Sequence, residues 1–105
     1  MSGLEEVVIP ASVRQIQSHA FSSCVSLRRV CFAGEALETI GNRAFAGSKL
    51  ESFAAPPSLH SIGEGAFAYC RSMRRADLGR CACTVMSESV FEGSGLEDVT
   101  LPPGL

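Results

Sequence analysis

The chain has 105 residues, of which 19% are charged, and its formal net charge is −2. This length fits one domain, and the slight acidic balance gives no electrostatic basis for binding nucleic acid. No apolar run approaches the ~18 residues of a transmembrane helix. The segment before the first strand pattern lacks the basic and apolar regions of a signal peptide. We therefore expect no nucleic acid partner and no membrane insertion.

In chain order, one strand pattern recurs with a period of 23 residues. The residues that open its five copies are Leu4, Leu27, Leu50, Met73 and Leu96. Apolar residues follow at the fourth and sixth positions of the copies, which is the period-two spacing of a strand with one buried face. A fixed period of this length predicts stacked repeats. We interpret residues 1–105 as one array of four full repeats and a final half-repeat, either uncapped or a fragment of a longer array.

Each of the first four repeats also carries a phenylalanine that follows the strand pattern, which we call the landmark phenylalanine. These residues are Phe21, Phe45, Phe67 and Phe91. Their recurrence once in each repeat predicts one buried column of stacked rings. Gly41 and Gly63 open the turn before the landmark, and we expect a positive φ at both because glycine adopts it without steric cost.

Repeats two and four are one residue longer before the landmark and one residue shorter after it. The insertions lie around Gly34-Glu35 and Arg80-Cys81. Long and short turns therefore alternate, but the strands still begin every 23 residues. We therefore expect the strands to stack in register.

The first repeat, Leu4 to Cys24, follows the pattern Leu-x-x-Val-x-Ile-Pro-x-x-Val-x-x-Ile-x-x-x-Ala-Phe-x-x-Cys. The third repeat, Leu50 to Cys70, matches it with Phe53 and Ala55 as substitutes, and the fourth repeat is degenerate. This pattern resembles the BspA-like, or treponemal-type, leucine-rich repeats over nearly the whole chain. The resemblance implies a leucine-rich repeat solenoid, which is a right-handed coil of stacked parallel β-strands, mostly β with short turns. It also implies no obligatory cofactor, and kinship with surface or secreted proteins that are often adhesive.

The outward positions of the strands supply the candidate binding face. The second and third positions of the repeats are mostly charged, and the sign alternates from repeat to repeat. This alternation predicts a ladder of ion pairs, with a recognition strip for a partner as the alternative. The fifth position lies between two buried positions and therefore faces outward. The candidate partner-binding face consists of Val8, Cys31, Ala54 and Asp77, with Arg29 and Arg75 beside them.

The five cysteines are expected to be reduced thiols without a metal or a cofactor. Cys24 and Cys70 share a column two repeats apart, so their Cα atoms lie ~10 Å apart, beyond the ~7 Å limit for a disulfide. Cys83 falls in a core column, whereas Cys31 projects from a strand and Cys81 lies in a turn, so we expect the last two to be the accessible ones. A single C-x-C motif is a weak metal signal, because a structural zinc site needs further ligands. Free thiols favour a reducing compartment.

No nucleophile elbow, phosphate loop or zinc-protease motif occurs in the sequence, so we expect no enzymatic activity. The leading hypothesis is a leucine-rich repeat module that binds a protein partner through an open sheet face. The first alternative is a self-associating building block, because unpaired strand edges are templates for pairing. We expect such association to be weak, with residues 7–9 as the more adhesive edge. Further alternatives are an adhesive segment of a larger surface protein, and a thiol redox or metal-binding protein that uses Cys31, Cys81 and Cys83.

Overall fold

The repeats form eight short strands and one 3₁₀ helix in the computed structural model, which describes residues 5–83 and 86–102. The strands are β1 (Glu6–Ile9), β2 (Gln15–Ile16), β3 (Arg29–Phe32), β4 (Thr39–Ile40), β5 (Ser52–Ala54), β6 (Ser61–Ile62), β7 (Arg75–Asp77) and β8 (Asp98–Thr100). The 3₁₀ helix spans Glu88–Phe91. Within the described residues, no helix is long and apolar enough to cross a membrane. We number the coils 1 to 5 after their repeats, so that coil 5 is the final half-repeat.

All strand pairs are parallel, and they form two sides of a solenoid. The longer strands form one side, where β1 pairs with β3 and β7 lies between β5 and β8. The two-residue strands β2, β4 and β6 form the other side. Equivalent repeat positions face each other, as Val7 faces Val30 and Ala76 faces Val99. The solenoid and the strand frame expected from the sequence are therefore confirmed.

The core lies between these two sides and consists of the columns that the repeat pattern predicts. Leu27, Leu50 and Met73, which open coils 2 to 4, are fully buried. The four landmark rings stack along the solenoid, with 5.3, 5.4 and 5.6 Å between successive ring centroids. Phe45 and Phe67 are fully buried, whereas the two end rings are partly buried because each has a landmark neighbour on one side only. The predicted ring column is confirmed.

The expectation of a positive φ at Gly41 and Gly63 is wrong. Among the described residues, the glycines with positive φ are Gly47, Gly65 and Gly93. A Cβ atom at Gly41 would overlap the backbone at Ser18, and one at Gly63 would overlap the backbone at Asn42. These two glycines are therefore explained by the close approach of successive coils.

The expectation that Cys81 is accessible in a turn is also wrong. This residue is 3% exposed and belongs to the same core cluster as Cys83. The Cys81 amide donates to the carbonyl of Leu78 at 3.2 Å. The extra residue of repeat four thus closes a tight turn that directs the thiol into the core. Of the other cysteines, Cys31 is exposed, Cys24 is partly buried, and Cys70 and Cys83 are buried.

Candidate partner-binding cleft

The strand side of the solenoid is interrupted between coils 2 and 3. No ladder joins β3 to β5 in the described part of the chain, although each pairs with its other neighbour. Pro56 occupies the repeat position of Ala33, whose amide donates to the carbonyl of Ile9 at 2.9 Å. Because proline has no amide hydrogen, the equivalent bond from coil 3 to coil 2 is lost.

Proline alone does not open the sheet, because Pro102 takes the same position in coil 5 and β8 still pairs with β7. The distinctive residue of coil 2 is Phe32, which stands where Ile9 and Leu78 stand in coils 1 and 4. The Phe32 ring lies edge-on to Phe53, with the ring centroids 5.9 Å apart. Two features therefore distinguish this junction, namely the missing amide of Pro56 and the bulky Phe32 ring.

A cleft of about 530 Å³ opens at this interruption. Residues 30–35 of coil 2 form one wall, and Ser52 with residues 54–57 of coil 3 form the other. Asp77 and Arg80 of coil 4 complete the lining. Glu35 and Arg80 form an ion pair of 3.4 Å that links coil 2 to coil 4. Both residues come from the insertions of the longer repeats, so this ion pair spans the shorter coil 3.

The structure brings together half of the candidate face residues. Those that line the cleft are Cys31, Ala54 and Asp77. Val8 faces Cys31 across the β1–β3 pair, so it lies beside the cleft and outside its lining. Arg29 and Arg75 are exposed on β3 and β7, also outside the lining. A binding role for this face stays a prediction.

Sequence reasoning missed the contribution of Glu35 and Arg80 to the cleft, and that of the small residues Ala33 and Gly34. The available signal was the pair of insertions two repeats apart. Equal insertions on both sides of a shorter repeat leave a recess between them, and that recess could have been proposed from the alignment of the repeats.

The cleft combines a protonated thiol with an unpaired carboxylate. The Cys31 thiol donates to Oε2 of Glu6 at 3.4 Å. This hydrogen bond raises the pKa of Cys31, with further contributions from desolvation and from the negative charge of Glu6. Asp77 Oδ1 accepts a hydrogen bond from the Gly79 amide at 3.0 Å. Within residues 5–83 and 86–102, Asp77 has no ion-pair partner.

The predicted ladder of ion pairs forms in part. Arg28 pairs with Glu51 at 3.5 Å, and Arg74 pairs with Glu97 at 3.2 Å. Side-chain exposures in these pairs run from 51% to 69%, so each pair stabilises the fold by only ~0.2–1 kcal/mol. The third-position arginines make no ion pair with other described residues.

The buried thiols are held in their unreactive form. Burial raises the pKa of Cys83 to about 12, with a further contribution from the neighbouring Cys81 thiol. Burial also raises the pKa of Cys70. The thiolate is the form that binds metals and attacks disulfides, so these environments oppose both reactions. The described residues contain no group of three or more His, Cys, Asp or Glu side chains that could hold a metal ion.

The family model for the BspA type leucine rich repeat region matches residues 1–105, with six copies. The chain belongs to this family. Its fold is similar to the crystal structure of the pneumococcal vaccine antigen PcpA, with a TM-score of 0.73 over 95% of this chain and 22% sequence identity. At that identity the likeness shows the fold alone, and this chain spans 31% of the PcpA chain. No curated protein matches the sequence significantly.

Proposed function

We propose that the chain is a non-enzymatic protein-interaction module that holds an extended segment of a partner protein in the cleft between coils 2 and 3. The observation that carries this proposal is the cleft itself, which lies where the strand ladder is interrupted. Family membership supports it, because stacked repeats create extended binding surfaces.

The lining of the cleft suits a peptide main chain better than a compact small molecule. Ala33, Gly34 and Ala54 have small side chains or none, so a bound backbone can approach the coils closely. The volume of about 530 Å³ accommodates a ligand. The described lining contains one aromatic residue, Phe32, and three charged residues, Glu35, Asp77 and Arg80, whereas pockets for small molecules are lined mainly by apolar and aromatic side chains with few polar groups. An extended peptide is the occupant that these features favour.

A random peptide library displayed on phage tests the proposal without a known partner. The wild-type chain is expected to enrich a set of related peptides. Ala54→Trp fills the cleft and should abolish binding of these peptides. The matched control is Ala20→Trp, at an exposed position of coil 1 outside the cleft lining, which should bind them normally.

Circular dichroism and urea unfolding of both variants establish that binding is compared between folded proteins. If the wild type enriches no related peptides, the proposal is contradicted. Equal binding by Ala54→Trp and the wild type also contradicts it, because the peptides then bind elsewhere.

Sedimentation across a concentration series separates this function from the self-associating building block. An interaction module should stay monomeric when the chain is concentrated and should form a heterocomplex when an enriched peptide is added. Concentration-dependent dimers or higher oligomers would favour the building block. An adhesive segment of a surface protein would use the same binding face. That the chain belongs to such a surface protein stays a prediction from the resemblance.

A further inference from the structure

The charges of the residues that line the cleft do not balance, and the imbalance indicates which peptides the proposed function would select. Glu35 and Arg80 neutralise each other across 3.4 Å. Cys31 adds no charge, because its hydrogen bond to the Glu6 carboxylate favours the protonated thiol. The Asp77 carboxylate has no cation within ion-pair distance in the described part of the chain.

The Asp77 side chain is held in place and still has free acceptor capacity. Its Oδ1 accepts the Gly79 amide at 3.0 Å, which fixes the carboxylate at the end of β7. A carboxylate has about four acceptor sites, so one such bond leaves the others for a ligand. Arg75 lies two residues away on the same strand face and makes no ion pair with Asp77.

We propose that the cleft selects partner segments that carry an arginine or lysine side chain, and that the cationic group of this side chain binds Asp77. The inference rests on the proposed function. The wall formed by coil 3 agrees with it, because Pro56 and Pro57 offer no main-chain donor over two consecutive residues. A cationic side chain has hydrogen-bond donors and no acceptor, so it does not need a donor from that wall. Its aliphatic stem would cover the apolar surfaces of Phe32 and Pro57.

The same display selection tests this inference with Asp77→Asn and a matched control, Asp98→Asn. Asparagine keeps an Oδ1 acceptor for the Gly79 amide and removes only the charge. Asp98 is exposed on the strand side, outside the cleft lining. Peptides enriched by the wild type are expected to share an arginine or lysine at one position. A synthetic peptide of that sequence should bind Asp77→Asn roughly fivefold more weakly than the wild type, and it should bind Asp98→Asn as it binds the wild type.

A substitution in the peptide completes the test. Glutamine in place of the shared basic residue should weaken binding to the wild type and leave binding to Asp77→Asn unchanged. Asp77→Lys should enrich peptides with an acidic residue at the same position, because the sign of the cleft charge is reversed. Where circular dichroism shows that Asp77→Lys has lost the fold, the asparagine comparison decides.

Two results would overturn the inference while leaving the proposed function intact. The first is a set of enriched peptides without a shared basic residue, and the second is equal affinity of the synthetic peptide for the wild type and Asp77→Asn. In both cases Ala54→Trp would still abolish binding. A wild type that enriches no peptides would overturn the proposed function and the inference together.

Discussion

Removing the Phe67 ring should be among the most damaging single truncations in the solenoid. This ring is fully buried and stacks between Phe45 at 5.4 Å and Phe91 at 5.6 Å. It also contacts Phe53, with the ring centroids 4.6 Å apart. Truncating a buried phenylalanine to alanine costs about 3–5 kcal/mol, and three ring contacts place Phe67→Ala in the upper half of that range.

Equilibrium unfolding in urea, followed by circular dichroism, measures the loss. The matched control is Phe21→Ala, because the Phe21 ring is partly buried and has one ring neighbour, Phe45, at 5.3 Å. We expect that control to lose about half as much stability. Phe67→Leu retains most of the apolar volume and serves as the measurable variant if Phe67→Ala is unfolded, at a cost of about 1–2 kcal/mol. A loss for Phe67→Ala no larger than that for Phe21→Ala would refute the stacked column as the centre of the core.

Three further outcomes follow from local contacts. Gly41→Ala should destabilise the fold by about 2–3 kcal/mol, because the new methyl group overlaps the backbone of coil 1; unchanged urea unfolding would show that the coils are less closely stacked. A double-mutant cycle on Arg74 and Glu97 should give a coupling of about 0.5 kcal/mol that falls in high salt; a coupling insensitive to salt would contradict the exposed ion pair. Glu6→Gln should speed iodoacetamide alkylation of Cys31 at mildly alkaline pH, because loss of the carboxylate lowers the thiol pKa and raises the thiolate fraction. A slower or unchanged rate would contradict the hydrogen bond between these two side chains.

The strand frame could be predicted because a solenoid repeats each environment at a fixed distance along the chain. Val7 and Val30 occupy the same repeat position and face each other across the β1–β3 pair. The alternation of buried and exposed positions also predicted that Cys31, Ala54 and Asp77 face outward, and all three are exposed.

The gap that turns this surface into a cleft could not be predicted from repeat positions. Pro56 and Pro102 occupy equivalent places, yet only the strand before Pro56 lacks a ladder to the preceding coil. The Phe32 ring packs edge-on against Phe53 beside the gap, and such a side-chain contact is a property of the folded core. The burial of Cys81 could not be predicted for a related reason. An inserted residue has no equivalent position in most of the other repeats that would show whether its side chain faces the core or the solvent.

Mapping a bound peptide by amide chemical shifts tests the central claim that the gap between β3 and β5 is a binding site. The isotope-labelled chain would be titrated with a synthetic peptide taken from the display selection. The largest shifts are expected at the cleft walls, in residues 30–35 and at Ser52, Ala54 and Ala55. The strands β2, β4 and β6 on the other side of the solenoid should change little. Shifts concentrated in those short strands or in the turns before the four landmark phenylalanines, with the cleft walls unperturbed, would contradict the claim.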